Sequence, residues 1–137
     1  MADIFQLQVA TPERLLVDEQ VKEAELPGKE GYLGILPDHA PLLSALGAGV
    51  LSFNGGSGGD HVFAVDGGFV EVFDNHVRVL ADHAEPAREI QVDQAHRDLE
   101  QASEALKNAH DIETSESALR GMQKAQARID AAARATG

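Results

Sequence analysis

Hydrophobic residues in the first part of the chain recur at every second position, which is the spacing of strands with one buried face. In residues 4–9, IFQLQV, this spacing places Phe5, Leu7 and Val9 on the same face. Further runs of β-forming residues occupy 61–65, 69–73 and 76–81. The residues between these runs, Asp66-Gly67-Gly68 and Asp74-Asn75, are typical of tight turns. We therefore predict a three-stranded meander over 61–81 within an antiparallel sandwich or barrel.

After residue 90 the spacing of apolar residues changes to three and four, which is the period of a helix face. The first such stripe consists of Val92, Ala95, Leu99, Ala102, Leu106 and Ala109. The second consists of Ala118, Met122, Ala125, Ile129 and Ala132. We predict two helices of roughly 18–22 residues each, the second capped by Thr114 or Asp111, packed as an antiparallel hairpin. Two such helices bury little surface alone, so the hairpin needs a docking surface.

Composition changes at the same point in the chain. Residues 1–90 hold eleven of the thirteen glycines, all five prolines and all six aromatic residues, with a net charge of −10. Residues 91–137 carry a net charge of only −2 and are rich in alanine. The total of −12 argues against binding to nucleic acid or to anionic lipid, because both are held by Lys and Arg.

Candidate chemistry is sparse. The chain has no cysteine, which excludes disulfides, thiolate zinc sites and thiol nucleophiles. Its six histidines form no metal-binding motif, and its serines lie in no nucleophile elbow, so we predict no metal site and no catalytic residue. The glycine-rich run 55–59 lacks the Lys-Ser/Thr of a phosphate loop and is predicted to be a hairpin tip. No apolar run reaches the roughly 18–20 residues of a membrane span, and the N-terminus resembles no signal peptide, so we expect a soluble cytosolic protein.

The segment 31–46, GYLGILPDHAPLLSAL, is the most distinctive part of the sequence. Its glycines permit sharp backbone turns, and Pro37 and Pro41 fix the backbone between them. We expect its leucines to anchor the segment in the core: Leu42, Leu43 and Leu46. His39 is either a catalytic base, with an acid such as Asp38, or part of a rigid contact surface. The second interpretation is favoured, because no nucleophile accompanies His39 in the sequence.

This segment, the following GAGVL and the stretch FAVDGGFVEVFDNHVRVLAD resemble the epsilon subunits of bacterial F-type ATP synthase, and the resemblance extends over essentially the whole chain. It implies a β-sandwich of about ten strands over residues 1–88 and a regulatory two-helix hairpin over 89–137. It also implies a non-catalytic central-stalk subunit that needs no cofactor and couples proton translocation to ATP synthesis. The implied partners are the gamma subunit, the c-subunit ring and, when the hairpin extends and inhibits ATP hydrolysis, the alpha and beta subunits. The implied location is peripheral, on the cytoplasmic face of the bacterial inner membrane.

The resemblance also assigns contact residues. Glu30, Gly31 and Tyr32 match the loop that faces the c-ring. The neighbouring segment that lies near gamma is matched by His39, Ala40 and Pro41. An alternative is that Tyr32 and His39 only stabilise the sandwich.

Some members of this family bind ATP through Ile/Leu-Asp-x-x-Arg-Ala at the start of the first helix. Here Val92 and Asp93 fit this motif, but His96 stands at the arginine position and Arg97 at the alanine position. Two basic positions of those binders are matched by Lys124 and Arg128. A mostly neutral histidine replaces arginine poorly in a phosphate site, so ATP as a regulatory ligand stays open. A free-standing ATP-sensing protein is the alternative function.

Overall fold

The structure is a computed structural model that describes residues 2–56 and 60–136. Within those residues eight β-strands precede a 3-10 turn and two α-helices. The elements are β1 Phe5–Ala10, β2 Leu15–Val21, β3 Glu23–Gly28, β4 Gly31–Ile35, β5 Leu42–Ala45, β6 Ala48–Asn54, β7 Val62–Phe73, β8 His76–Pro86, the 3-10 turn Ala87–Glu89, α1 Val92–Lys107 and α2 Ile112–Thr136. Residues 57–59 of the predicted hairpin tip lie outside the described residues.

The strands form an antiparallel sandwich with one parallel pair. Their order is β2-β1-β8-β7-β6-β3-β4, and β1 and β8 are parallel. The long strand β7 belongs to both layers, because its first half pairs with β6 and its second half pairs with β5. The predicted fold class, a sandwich followed by a two-helix hairpin, is confirmed.

The predicted meander over 61–81 is wrong in one respect. Asp66-Gly67-Gly68 makes no turn but lies inside β7, which is continuous over twelve residues. Gly67 and Gly68 have φ angles of 74° and 108°, which let the strand bend from one layer to the other while it stays in register with β8. Because β7 and β8 each span what looks like two short strands, the described residues contain eight strands where the resemblance implies about ten.

The predicted turn at Asp74-Asn75 is confirmed. Phe73 pairs with His76, so Asp74 and Asn75 alone connect β7 to β8. The φ angles of Asp74 and Asn75 are 51° and 58°, as in a type I′ hairpin. Asp and Asn tolerate this left-handed backbone conformation better than most residues.

The main core lies between the two sheet layers and contains only residues from the strand region. Phe5, Leu7 and Val9 are 2%, 0% and 0% exposed, which confirms the alternation predicted for β1. A second, smaller apolar cluster lies where α2 meets the sandwich.

The helices differ in length, with 16 residues in α1 and 25 in α2 against the roughly equal pair predicted. Asp111 caps α2, because its Oδ1 accepts the N–H of Thr114 at 2.8 Å. In the predicted stripes Ala95, Ala118 and Ala125 are buried, whereas Val92, the first residue of α1, is 42% exposed. Helix α2 contacts β6, β7 and the 3-10 turn, and α1 packs mainly on α2. No helix in the described ranges is long and apolar enough to cross a membrane.

Candidate functional site

The predicted c-ring contact residues lie at the tip of the β3–β4 hairpin. Gly28 pairs with Gly31, so Lys29 and Glu30 form the turn, and Glu30 and Gly31 are exposed. The turn itself is anchored, because the N–H of Lys29 donates to the carbonyl of Ala45 at 2.9 Å. The structure therefore holds this exposed tip in a fixed position.

Tyr32, the third predicted c-ring residue, is 54% exposed, yet its hydroxyl bonds to the backbone of β6. The Tyr32 oxygen accepts the N–H of Val50 at 2.9 Å. A Cβ built on Gly49 would lie 2.6 Å from this oxygen, so the phenol crosses β6 where β6 has no side chain. The side chain thus combines a structural hydrogen bond with an exposed ring.

The segment that precedes β5 is fastened to the β7–β8 turn through Asp38. Asp38 has a positive φ of 66°, and its N–H donates to Oδ1 of Asn75 at 2.6 Å. Its carboxylate accepts the side-chain N–H of Asn75 and the backbone N–H of Ala2, each at 3.0 Å. These hydrogen bonds, that from Asn75 first, hold the pKa of the Asp38 carboxyl below its ordinary value of 3.8.

The three predicted gamma contacts follow at once in the chain. Ala40 and Pro41 are exposed, and His39 is half-buried. Nδ1 of His39 lies 2.7 Å from the carbonyl oxygen of Ala40, and because a carbonyl only accepts, Nδ1 carries the hydrogen. The Asp38 carboxylate is bonded to Asn75 and Ala2 rather than to His39. This geometry supports a contact role for His39 rather than a His-Asp catalytic pair.

The two predicted contact groups lie at opposite ends of β5. The tip of the β3–β4 hairpin bonds to Ala45, the last residue of that strand, whereas Pro41 precedes its first residue, Leu42. Four residues of extended chain span about 13 Å. The groups therefore form two surfaces rather than one site.

An apolar surface beside Pro41 was missed by the sequence analysis. We call it the outer patch: Leu43, Phe69, Phe73 and Leu80, which are 72%, 58%, 65% and 54% exposed. Phe69 pairs directly with Leu80, and Leu43 pairs with Glu71, so these side chains share the outward face of β5, β7 and β8. Exposed apolar patches of this kind mark interaction surfaces.

The prediction that Leu43 anchors the core is thus wrong, although Leu46 is buried and Leu42 packs against the main core. Alternation in β5 turns Leu43 outward because its neighbours Leu42 and Ser44 turn the other way. The signal was present in FVEVF, residues 69–73, where phenylalanines alternate with valines and make both faces of the strand apolar.

The structure places two of the five predicted ATP-binding residues beside clefts and the other three elsewhere. Lys124 and Arg128 line a cleft of about 750 Å³ between the helices and a second of about 510 Å³ between the helices and the sandwich. Val92, Asp93 and Arg97 line neither cleft, and Arg97 donates a hydrogen bond to Gln94 at 2.8 Å instead. The ATP site stays a prediction.

Arg128 is already paired with carboxylates. Its Nε lies 2.9 Å from Oε1 of Glu85 and its Nη1 lies 3.5 Å from Oδ2 of Asp98. A phosphate group bound by Arg128 would have to displace the carboxylates of Glu85 and Asp98 or lie beside them. Within the described parts of the chain, no group of three or more His, Cys, Asp or Glu residues is placed to hold a metal ion.

Comparison with known proteins decides the family. Residues 4–87 match the family model described as ATP synthase, Delta/Epsilon chain, beta-sandwich domain. The chain is 49% identical over 130 residues to the ATP synthase epsilon chain of Solibacter usitatus, covering 94% of this chain and 96% of that relative. The chain belongs to the ATP synthase epsilon-chain family. The epsilon chain of Syntrophomonas wolfei is 42% identical over 127 residues, which cover 93% of each chain.

Solved structures agree on the fold of this epsilon-family chain. A chain of the Euglena gracilis mitochondrial ATP synthase superposes with a TM-score of 0.81 at 20% identity, covering 99% of this chain and 82% of that one. A chain of the Tetrahymena thermophila central stalk and c-ring gives 0.63 at 18% identity, with 96% of each chain covered. The resemblance inferred from residues 31–46, GAGVL and FAVDGGFVEVFDNHVRVLAD is confirmed.

Proposed function

We propose that the protein is a non-catalytic central-stalk subunit of a bacterial F-type ATP synthase, where it turns with the rotor and couples proton translocation to ATP synthesis. The observation that carries this proposal is the 49% identity to an epsilon chain across 94% of the protein, strands and helices included. In this role the protein is peripheral to the membrane on its cytoplasmic face, because it contacts the membrane ring rather than lipid.

The tip of the β3–β4 hairpin is the proposed contact with the c-ring. Glu30, Gly31 and Tyr32 are exposed, the backbone N–H of Lys29 donates to Ala45, and the Tyr32 hydroxyl accepts the N–H of Val50. A contact that transmits torque has to resist deformation, and these hydrogen bonds between strands supply that resistance.

The gamma subunit is the proposed partner of His39, Ala40 and Pro41 together with the outer patch. Pro41, Leu43 and Phe73 line one shallow cavity, so the segment and the patch are continuous. Burial of phenylalanine and leucine side chains stabilises an interface, and the buried centre of an interface is more apolar than the rest of the surface. The patch is therefore suited to a lasting subunit contact.

Binding to the gamma subunit of the same organism tests this proposal by titration calorimetry on the full chain. Phe73→Ser should weaken binding tenfold or more, about 1.4 kcal/mol. Ile112→Ser is the matched control, because Ile112 is 77% exposed on a helix away from the patch. A wild-type chain that binds no gamma, or equal affinity of both variants, would contradict the proposal.

The helices have a proposed regulatory role, in which they extend to the alpha and beta subunits and inhibit ATP hydrolysis. The test measures ATP hydrolysis by the catalytic head lacking this subunit, after addition of the full chain or of residues 1–88. Slower turnover with the full chain alone would support inhibition by the helices. Equal rates with both forms, when both bind gamma, would contradict it.

The alternative of a free-standing ATP sensor makes a different prediction. It requires sub-millimolar MgATP binding by the isolated chain and no stable complex with gamma. Only Lys124 and Arg128 of its candidate residues line a cleft, and Arg128 is engaged with Glu85 and Asp98. Calorimetric titration with MgATP, followed by titration with gamma, distinguishes the two functions.

A further inference from the structure

The contact between the helices and the sandwich is separate from the main core. It is centred on a cluster in which α2 contributes Ala131 and Ala132, which are 0% and 7% exposed. The sandwich side of this cluster includes Val50 and Ala64, and none of its members belongs to the main core. A methyl group buries little apolar area, so alanine contacts of this kind hold a helix weakly.

An open cleft lies beside this contact. The cleft of about 510 Å³ between the helices and the sandwich is lined by Val65, His83 and Ala84 from the strands and by Ala127 from α2. This cleft opens beside the line along which α2 packs on the sandwich, which we call the seam.

One arginine crosses this seam and joins three elements. Arg128 of α2 has a side chain only 18% exposed, and its Nε and Nη2 lie 2.9 Å and 3.4 Å from the two oxygens of Glu85 in β8. Its Nη1 lies 3.5 Å from Oδ2 of Asp98 in α1. The guanidinium fork therefore binds the sandwich with one edge and the other helix with the opposite edge.

The remaining long-range ion pairs near the seam are more exposed. Arg134 of α2 lies 3.8 Å from Glu25 with a side chain 46% exposed, and Arg88 of the 3-10 turn lies 2.9 Å from Asp60 with a side chain 70% exposed. Solvent screening makes such exposed pairs weak. Of these three arginines Arg128 is the one that is mostly desolvated.

We propose that Arg128 is an ionic latch that holds the helical hairpin on the sandwich, so that loss of this cation releases both helices together about residues 87–91. Removing the guanidinium leaves Glu85 and Asp98, which lie on either side of it, as partly buried carboxylates without their shared cation, and like charges repel. The alanine contacts of α2 bury little apolar area that could oppose that repulsion. The inference concerns the isolated chain and stands or falls independently of the proposed function.

The absence of cysteine makes a distance measurement direct, because two introduced cysteines take up spin labels without competition. We would label Gln20→Cys on β2 and Gln123→Cys on α2, both exposed, in the full chain and measure the distance distribution by pulsed electron spin resonance. The wild-type background should give one docked distance at low salt. Arg128→Gln should raise the population at longer distances at least tenfold, with helix content by circular dichroism unchanged.

Two controls separate a latch from a general defect. Arg120→Gln removes an exposed cation from the same helix and should leave the docked distance unchanged. Arg128→Lys keeps the charge but cannot bridge both carboxylates, so it should give an intermediate population. A docked distribution in Arg128→Gln equal to the wild type would overturn the proposal.

A charge exchange covers the case in which Arg128→Gln fails to fold. Arg128→Glu combined with Glu85→Arg restores an attraction across the seam, although it moves the cation to β8. Recovery of the docked distance in this double variant, with undocking in Arg128→Glu alone, supports the latch. Undocking or misfolding in both would overturn it, because the position would then require arginine for packing rather than for charge.

Discussion

Tyr32 combines two environments, because the residue is 54% exposed while its phenol oxygen accepts the N–H of Val50. Asp38 is similar, since it belongs to an exposed loop while its carboxylate accepts hydrogen bonds from Asn75 and Ala2. At the residue scale the proposed contact loops are therefore rigid because their polar side chains also complete the hydrogen bonding of the fold. Loss of such a bond should change stability even in the absence of any partner.

Tyr32→Phe should lower the free energy of unfolding by about 1 kcal/mol, because the N–H of Val50 loses its acceptor while the ring is kept. Urea denaturation of the isolated chain measures this difference. An unchanged midpoint would mean that water replaces the phenol oxygen. The predicted c-ring contact of Tyr32 would then be the whole role of this side chain.

The titration of the Asp38 carboxyl should also report on the hydrogen bonds that hold its loop. Because its folded pKa lies below the ordinary value of 3.8, the hydrogen bonds to its carboxylate stabilise the fold above that pH, and their contribution disappears as pH falls through the folded pKa. Asn75→Ala should raise the midpoint of the Asp38 carboxyl carbon signal toward 3.8. Asp111, whose pKa is lowered by Thr114 instead, is the internal control and should not change.

At the scale of elements, β7 shows how one strand serves two sheet layers. Its bend falls at Gly67 and Gly68, where the backbone has positive φ and β8 lies very close. A Cβ on Gly68 would be 2.0 Å from the carbonyl oxygen of Leu80. The same bend turns the second half of β7 toward β5 and so brings Phe69 and Phe73 beside Leu43 in the outer patch.

Gly68→Ala should therefore destabilise the protein by roughly 3 kcal/mol, from positive φ and a backbone clash together. Gly34→Ala is the matched control, because Gly34 is an exposed strand glycine with no atom within 4 Å of an added Cβ. Thermal denaturation of both variants measures the difference. Equal melting temperatures would show that β7 does not need glycine to change layers.

At the scale of the whole molecule, the sandwich and the helices have separate apolar clusters. The main core contains no residue from α1 or α2, and the smaller cluster joins α2 to Val50, Ala64, Ala87 and Ile90. The helices need the sandwich as a surface to pack on, whereas the core of the sandwich is formed without residues from the helices. The division at residues 88 and 89 stays a prediction that this arrangement supports.

Residues 1–88 alone should fold, since their core does not include the helices. The truncated protein should show a β-sheet circular dichroism spectrum and a single cooperative unfolding transition. Its melting temperature should fall by only a few degrees, because exposure of Val50 and Ala64 costs little apolar burial. A truncated chain without cooperative unfolding would show that the helices are part of one folding unit.

Local patterns in the sequence determined much of this protein. The alternation of Phe5, Leu7 and Val9 predicted a buried strand face, Asp74-Asn75 predicted a tight turn, and the apolar spacing after residue 90 predicted two helices. Segment 31–46 was distinctive enough to indicate the family. These features depend on residues close together in the chain, so they can be predicted without knowledge of the tertiary structure.

Only the tertiary structure decided how distant residues meet. Asp66-Gly67-Gly68 has the composition of a turn, but pairing with β8 on one side and with β6 and β5 on the other keeps it extended. The outer patch exists because three strands bring their outward faces together, and Arg128 pairs with Glu85 across 43 residues of sequence. Such contacts arise from packing between elements, and no local pattern of residues encodes which partner each side chain will find.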